Sequence, residues 1–127
     1  MARFARREKI SHASLLEAIV RAEQGLLDAD LGGGLIKQRV ARAGKGHSGG
    51  YRTILAYRRA DRAIFLFGFA KSERENFRPD ELKTAREIAA LWMQAEDQKI
   101  ALGLQAGELE EVHYGNEEVE RSGGGAA

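Results

Sequence analysis

The chain reads as an α+β protein, an antiparallel sheet flanked by one N-terminal helix and by C-terminal helices. Three observations predict it. Apolar residues repeat at three- and four-residue spacing near both ends, they alternate at spacing two through the middle, and the middle segments are joined by connections too short for a parallel crossover. At 127 residues with 43% apolar side chains, the chain has the size of one domain with a modest core.

The first helix is expected over about residues 12–24. Ser11 and Ser14 are both suited to cap it, and Ser14 with Glu17 spells the S-x-x-E capping box. Leu15, Leu16, Ile19, Val20, Ala22 and Leu26 form its apolar stripe, and Gly25 stops it. Asp28 to Gly34 is turn chemistry. From Leu35 to Arg42 the alternation puts Lys37 and Arg39 on one face of a strand, with Ile36, Gln38 and Val40 on the other. Residues 43–50, AGKGHSGG, read as a flexible basic loop. In the strand Tyr51 to Arg58, Arg52, Ile54, Ala56 and Arg58 share one face, while Tyr51, Thr53, Leu55 and Tyr57 share the other. Ala63 to Ala70 is almost wholly apolar and is expected to be the central strand, covered on both faces and antiparallel to its predecessor across the turn at 59–62. Pro79 opens a second helix to about residue 96, with Asp80 and Glu81 favourable at its positive end. Its apolar stripe runs Leu82, Ala85, Ile88, Ala89, Leu91, Trp92 and Ala95. A short helix over 97–106, stopped by Gly107, and a last strand over 109–114 complete the single domain 1–114. Residues 115–127 are expected to be a disordered acidic, glycine-rich tail.

Charge is distributed unevenly. Residues 35–62 carry eight basic residues against the single acid Asp61, whereas residues 1–34 balance at five and five, and residues 63–127 hold seven basic against thirteen acidic. A whole-chain charge of +1 therefore hides a cationic segment suited to a phosphate-rich partner. There is no cysteine, so disulfides, thiolate metal sites and a thiol nucleophile are excluded, which suits a reducing cytoplasm. No secretory signal and no run of roughly 20 apolar residues is present, and a cytoplasmic protein is expected.

Short motifs need context. Gly44, Gly46 and Gly49 spell G-x-G-x-x-G, but the loop leads into a strand rather than a helix, and Lys45 is followed by Gly46 where a Walker A loop needs Ser or Thr. His12, His47 and His113 lack metal-ligand spacing, so no metal and no cofactor are expected. His12 is read as a surface residue of the first helical turn. His47, in the basic loop, is placed to reach a phosphate. Lys71, Arg74, Asn76, Phe77 and Arg78 follow the apolar strand, and antiparallel pairing should bring Lys71 and Arg74 beside Arg52 and the 43–50 loop. That convergence is what phosphate chemistry needs.

The run LGGGLIKQRVARAGKGHSGGYRTILAYRRADRAIFLFGFAKSERENFRPDEL, followed by KTAREIAALW, resembles the RelE/ParE superfamily of type II toxin–antitoxin toxins, in particular a RelE-like family close to the HigB type. The specific pieces are the GGYR opening of a strand, the F-x-K at Phe69 to Lys71 and the acidic helix start after Pro79, and the similarity covers about residues 3–114. The resemblance implies a compact RelE-like fold and a toxin neutralised by a cognate antitoxin. It also implies a metal-independent, ribosome-dependent mRNA endonuclease that directs a ribose 2′-OH at the adjacent phosphate. Such chemistry needs a proton acceptor, cations for the developing phosphate charge and a donor for the leaving oxygen. By correspondence Arg52 and Arg74 are assigned to transition-state charge, and Lys71 to proton transfer or phosphate binding. A lysine base needs its pKa lowered from about 10.4, which neighbouring cations favour. Lys37, Arg39 and Lys45 are assigned to RNA backbone, His47 to RNA binding or, alternatively, to a solvated loop position, Tyr51 and Phe77 to base stacking or, equally, to the core, and His113 or Tyr114 to the general acid that several RelE toxins supply from the last strand. The implied partners are the antitoxin, covering the cationic face, and the ribosome with its mRNA. DNA is contacted only through the antitoxin complex, and no membrane is involved. The superfamily also hosts ParE-like inhibitors of DNA gyrase that cut no nucleic acid, and inactive homologues that only bind antitoxin. Convergent cations favour the nuclease.

Overall fold

The computed structural model describes residues 1–42 and 46–112, with residues 46–48 described by their backbone alone. Two short helices come first, α1 (Ala2–Glu8) and α2 (His12–Glu23). Four strands follow, β1 (Ala29–Gly32), β2 (Leu35–Arg42), β3 (Gly46–Arg58) and β4 (Arg62–Ala70), and then α3 (Pro79–Gln94) and α4 (Asp97–Gln105). The strands form one antiparallel sheet in the order β1-β2-β3-β4, so every neighbour in the sheet is a neighbour in the chain. The α+β expectation holds.

Alternation along β2 and β3 distributes the core between two faces. Leu35, Ile54, Ala56, Leu66 and Phe69 pack with Phe77, Ala85 and Ala89 under α3. On the opposite face Val40, Tyr51 and Ala70 pack with Phe4, Leu15 and Ala18, and Ile36 and Leu55 with Ala22, under α1 and α2. Gln38 is the polar member of this second face, at 1% exposure. Its amide donates to the Ala18 carbonyl at 2.8 Å and to that of Leu26 at 3.3 Å, and its oxygen accepts from the Asp28 N–H at 3.0 Å. A buried amide with these partners ties α2 and the chain after it to the sheet, because losing the bonds would leave desolvated carbonyls behind.

Several boundaries differ from expectation. Ser11 is the N-cap of α2, its Oγ accepting from the Ser14 N–H at 3.1 Å; Ser14 lies inside the helix and Glu17 pairs with Arg21 at 2.8 Å, so the box at Ser14 and Glu17 is not the start. Helix α1 was not foreseen, being a short cationic segment with a single buried residue, Phe4. Part of the expected 28–34 turn is strand β1, which turns into β2 through Gly33 and Gly34 at φ +64° and +82°, a conformation glycine adopts without steric cost. Strand β3 begins at Gly46, not Tyr51, so residues 46–50 extend a hairpin rather than a loop. At its base Gly50 lies so close to β2 that a Cβ would sit 2.1 Å from the Val40 carbonyl oxygen.

The apolar strand β4 is an edge strand, not the central one; β2 and β3 occupy the interior of the sheet. Its composition reflects cover on both faces, by α3 and by Phe4 and Met1 of the N-terminal segment, and cover says nothing about lateral neighbours. The register shifts at Leu66, where Ile54 and Leu55 oppose Phe67 and Phe65; this bulge turns both Leu66 and Phe67 toward α3. Leu91, expected in the apolar stripe of α3, is 51% exposed. Residues 109–112 form no strand. Leu109 instead packs on Gly103 beside Trp92, and Arg6 pairs with Glu110. Residues 113–127, with the expected tail, lie outside the described residues. Among the described residues no helix is long and apolar enough to cross a membrane.

Candidate nucleic-acid interface

The site begins with register. Arg39 on β2 stands directly opposite Arg52 on β3, and Arg52 stands opposite Phe69 on β4. Directly opposed residues point to the same face, so the three make one row across the sheet on the side that α3 packs against. Lys37 lies on the same face two residues before Arg39. The connection from β4 to α3, residues 71–78, borders this row. A hollow of about 100 Å³ is lined there by Lys37, Arg39 and Arg52 from the sheet, by Glu75 and Phe77 from the connection, and by Asp28 just before β1.

Two arginines opposed across a strand pair repel each other, and although Asp28 and Glu75 line the same hollow, among the described residues neither forms an ion pair with them. Among the described residues the side chains of Lys37, Arg39, Arg52 and Lys71 make no ion pair, whereas Arg58, Arg62 and Arg78 are paired with Asp61, Asp97 and Asp80. Asp28 accepts the Arg39 N–H through its carboxylate Oδ2. The Arg52 Nε is buried without a hydrogen-bond partner. A buried, unbonded guanidinium nitrogen costs stability; among the described residues Arg52 holds the only such nitrogen, while Arg39 and Lys71 are exposed and Lys37 is half-buried.

Arg74 is held differently. Its Nη1 and Nη2 donate to Glu81 Oε1 and Oε2 at 3.0 and 2.7 Å, a two-pronged pair. Its guanidinium carbon lies 4.5 Å from the Phe69 ring centroid and 6.0 Å from that of Phe77, and the two rings are 4.6 Å apart. The Arg74 bond, followed by the backbone N–H of Arg78 and the charges of both arginines, outweighs desolvation and holds the Glu81 carboxyl below the usual carboxylate range.

The other expected residues fall as follows. Lys71 is exposed at the end of β4, its N–H donating to the Gly50 carbonyl at 3.1 Å; it adjoins the row without lining the hollow. Phe77 lines the hollow although only 9% exposed. Tyr51 does not belong to this face. It is 3% exposed, with its ring edge-on to Phe4 at 5.6 Å and its hydroxyl toward Glu8, and burial pushes its pKa up. Strand alternation explains this, since adjacent residues point to opposite faces and Tyr51 and Arg52 cannot both face the row. Lys45, His113 and Tyr114 lie outside the described residues, as does the side chain of His47. Val112, the last described residue, packs in the cluster of Tyr51 and Ala70. Glu75, Asp28 and Glu81 were not foreseen at the site. Glu81 was read only as a charge at the start of α3; its spacing from Arg74 becomes a contact through the path of the connection. Among the described residues no three His, Asp or Glu side chains gather to hold a metal ion.

A family model described as the RelE toxin of the RelE/RelB toxin–antitoxin system matches residues 1–112. No curated protein and no solved structure matches the chain. The matched range contains the whole sheet, all four helices and the Lys37–Arg39–Arg52 row, and the chain belongs to the RelE toxin family.

Proposed function

We propose that this toxin cuts messenger RNA on the translating ribosome, in the cytoplasm, and that a cognate antitoxin restrains it. The observation that carries the reading is the row of unpaired cations, Lys37, Arg39 and Arg52, around a hollow of about 100 Å³. That is room for a phosphate group rather than a nucleoside, so the site is suited to a backbone linkage with its bases outside.

In the proposed reaction the ribose 2′-oxygen forms a bond to phosphorus while the bond to the 5′-oxygen breaks, leaving a cyclic phosphate and a free 5′-hydroxyl. Arg52 takes the charge that develops on the phosphate oxygens, its planar fork remaining charged throughout. Arg74 adds a second cation from the Phe69 side. Lys37 and Arg39 hold the neighbouring backbone. Lys71, at the rim, takes the 2′-proton or binds the phosphate. His113 or Tyr114, which follow Val112, supply the proton to the leaving oxygen. Phe77, which lines the hollow, offers an aromatic surface to the RNA.

The test is induced expression without antitoxin, followed by primer extension on translated and untranslated copies of one mRNA. Cuts confined to the translated copy, and lost with Arg52→Ala, are the expected result. Intact mRNA with growth arrest and DNA damage would replace this reading by gyrase inhibition. Intact mRNA with normal growth would mark an inactive toxin.

A further inference from the structure

We propose that Glu81 is a positioning residue for cleavage, acting through Arg74; this inference rests on the nuclease reading above. Among the described residues Arg74 is the one cation of the site with a carboxylate partner, and the geometry of that pair assigns its purpose. Glu81 engages the end of the guanidinium, both terminal nitrogens at once. The side edge, formed by Nε and the outer N–H of a terminal nitrogen, has no partner among the described residues, and it is a second two-pronged face that fits phosphate. Glu81 therefore does not consume Arg74. It fixes the plane of the guanidinium, with Phe69 beneath at 4.5 Å, and leaves an edge free.

The anchor itself is rigid. Glu81 Oε1 also accepts from the Arg78 N–H at 2.8 Å, so the carboxylate is clamped to the first turn of α3. Arg74 lies in the connection between β4 and α3, where a long side chain left to itself would sample many rotamers. Fixing one end of the fork to a helix terminus, with its guanidinium carbon over a core aromatic ring, removes that freedom before substrate arrives, and such preorganisation contributes to rate rather than to capture. A misplacement on the order of 1 Å is enough to slow a reaction about 10²-fold.

Glu81→Gln separates this role from helix capping, because the amide keeps an oxygen for the Arg78 N–H while its NH₂ group cannot accept from Arg74. The experiment measures single-turnover cleavage of mRNA on programmed ribosomes by the purified wild-type chain and by Glu81→Gln, Arg74→Lys, Arg74→Ala and the double variant Arg74→Ala/Glu81→Gln, with thermal melting alongside. Expected is a loss on the order of 10- to 100-fold in the maximal rate for Glu81→Gln and for Arg74→Lys, with little change in half-saturation, and no further loss from Glu81→Gln once Arg74 is alanine. A wild-type rate in Glu81→Gln, or an equal loss with and without Arg74, overturns the proposal while leaving the nuclease reading intact. If Glu81→Gln fails to fold, Arg74→Lys decides, since a wild-type rate there overturns it equally. Absence of cleavage by the wild-type chain removes the proposal and the nuclease reading together.

Discussion

Arg52 and Arg74 are chemically alike and differ in what surrounds them. Arg52 buries an unbonded Nε; Arg74 is bonded twice to Glu81 and lies over the Phe69 ring. Removing Arg52 therefore takes a cost away from the fold and, in the proposed reaction, a charge partner away from the phosphate. Arg52→Ala should lower cleavage on the order of 10²- to 10³-fold, as loss of a transition-state charge partner does, while its melting temperature stays at or above that of the wild-type chain. Primer extension and a thermal melt on the same preparation check both halves. Glu81 gives the opposite pattern. Its folded-state pKa is depressed by Arg74 and Arg78, so the folded protein binds that proton less readily than the unfolded chain. Its contribution to stability is thus complete above the ordinary glutamate pKa of about 4.3 and is lost as pH falls through the lowered value. Glu81→Gln should be less stable than wild type in denaturant titrations at pH 7, and the difference should shrink steadily below about pH 4.

Among the elements, what the sequence revealed and what it concealed follow from how local each cause is. Strand β2 and the start of α3 were legible to the residue, because alternation around Lys37 and Arg39, and Pro79 followed by two acids, are local signals. The same alternation put Lys37 with Arg39 on one face of β2, and Arg52 on the face of β3 opposite Tyr51, but that the two cationic faces coincide is decided by the register between the strands, which no local pattern shows. The edge position of β4 was not legible, since apolar composition records cover by α3 and α1 rather than order in the sheet. Strand β1 was hidden among glycines whose positive φ serves the turn after it. Glu81 was hidden because its partner lies across an irregular connection. Gly50 is an element-scale feature of another kind: only a residue without Cβ lets β3 approach Val40. Since the obstructing atom is backbone, Gly50→Ala should lower stability by about 3 kcal/mol or more, read as a fall in the urea midpoint. Gly68→Ala meets the ends of flexible side chains instead, Phe4 Cε2 at 2.9 Å and Met1 Sδ at 3.1 Å, and should shift the midpoint less.

For the whole molecule, a net charge of +1 predicts weak, salt-insensitive attraction to RNA, whereas four cations on one side without an ion pair among the described residues predict the reverse. If Lys37, Arg39, Arg52 and Lys71 each neutralise one phosphate, the logarithm of the affinity for a single strand should fall against the logarithm of salt with slope about −3, at roughly −0.7 per contact. Lys37→Ala with Arg39→Ala should reduce that slope to about −1.4. Fluorescence anisotropy with a 2′-deoxy-substituted oligonucleotide, which binds but offers no attacking hydroxyl, measures it. A slope near zero would show that the acidic surroundings, Asp28 and Glu75 included, cancel the field.

Strand order equal to chain order also bears on synthesis. Each strand pairs with the one made just before it, across short connections, and local pairings of this kind close quickly. The sheet is complete in sequence at Ala70, with Arg39 and Arg52 already opposed. Phe77 and Glu81 are translated afterwards, and α3, which covers the face of the sheet that carries Leu35, Ile54 and Phe69, only then. A growing chain thus gathers its cations before it acquires the parts that hold Arg74 in place, and the toxin's architecture matures ahead of its chemistry.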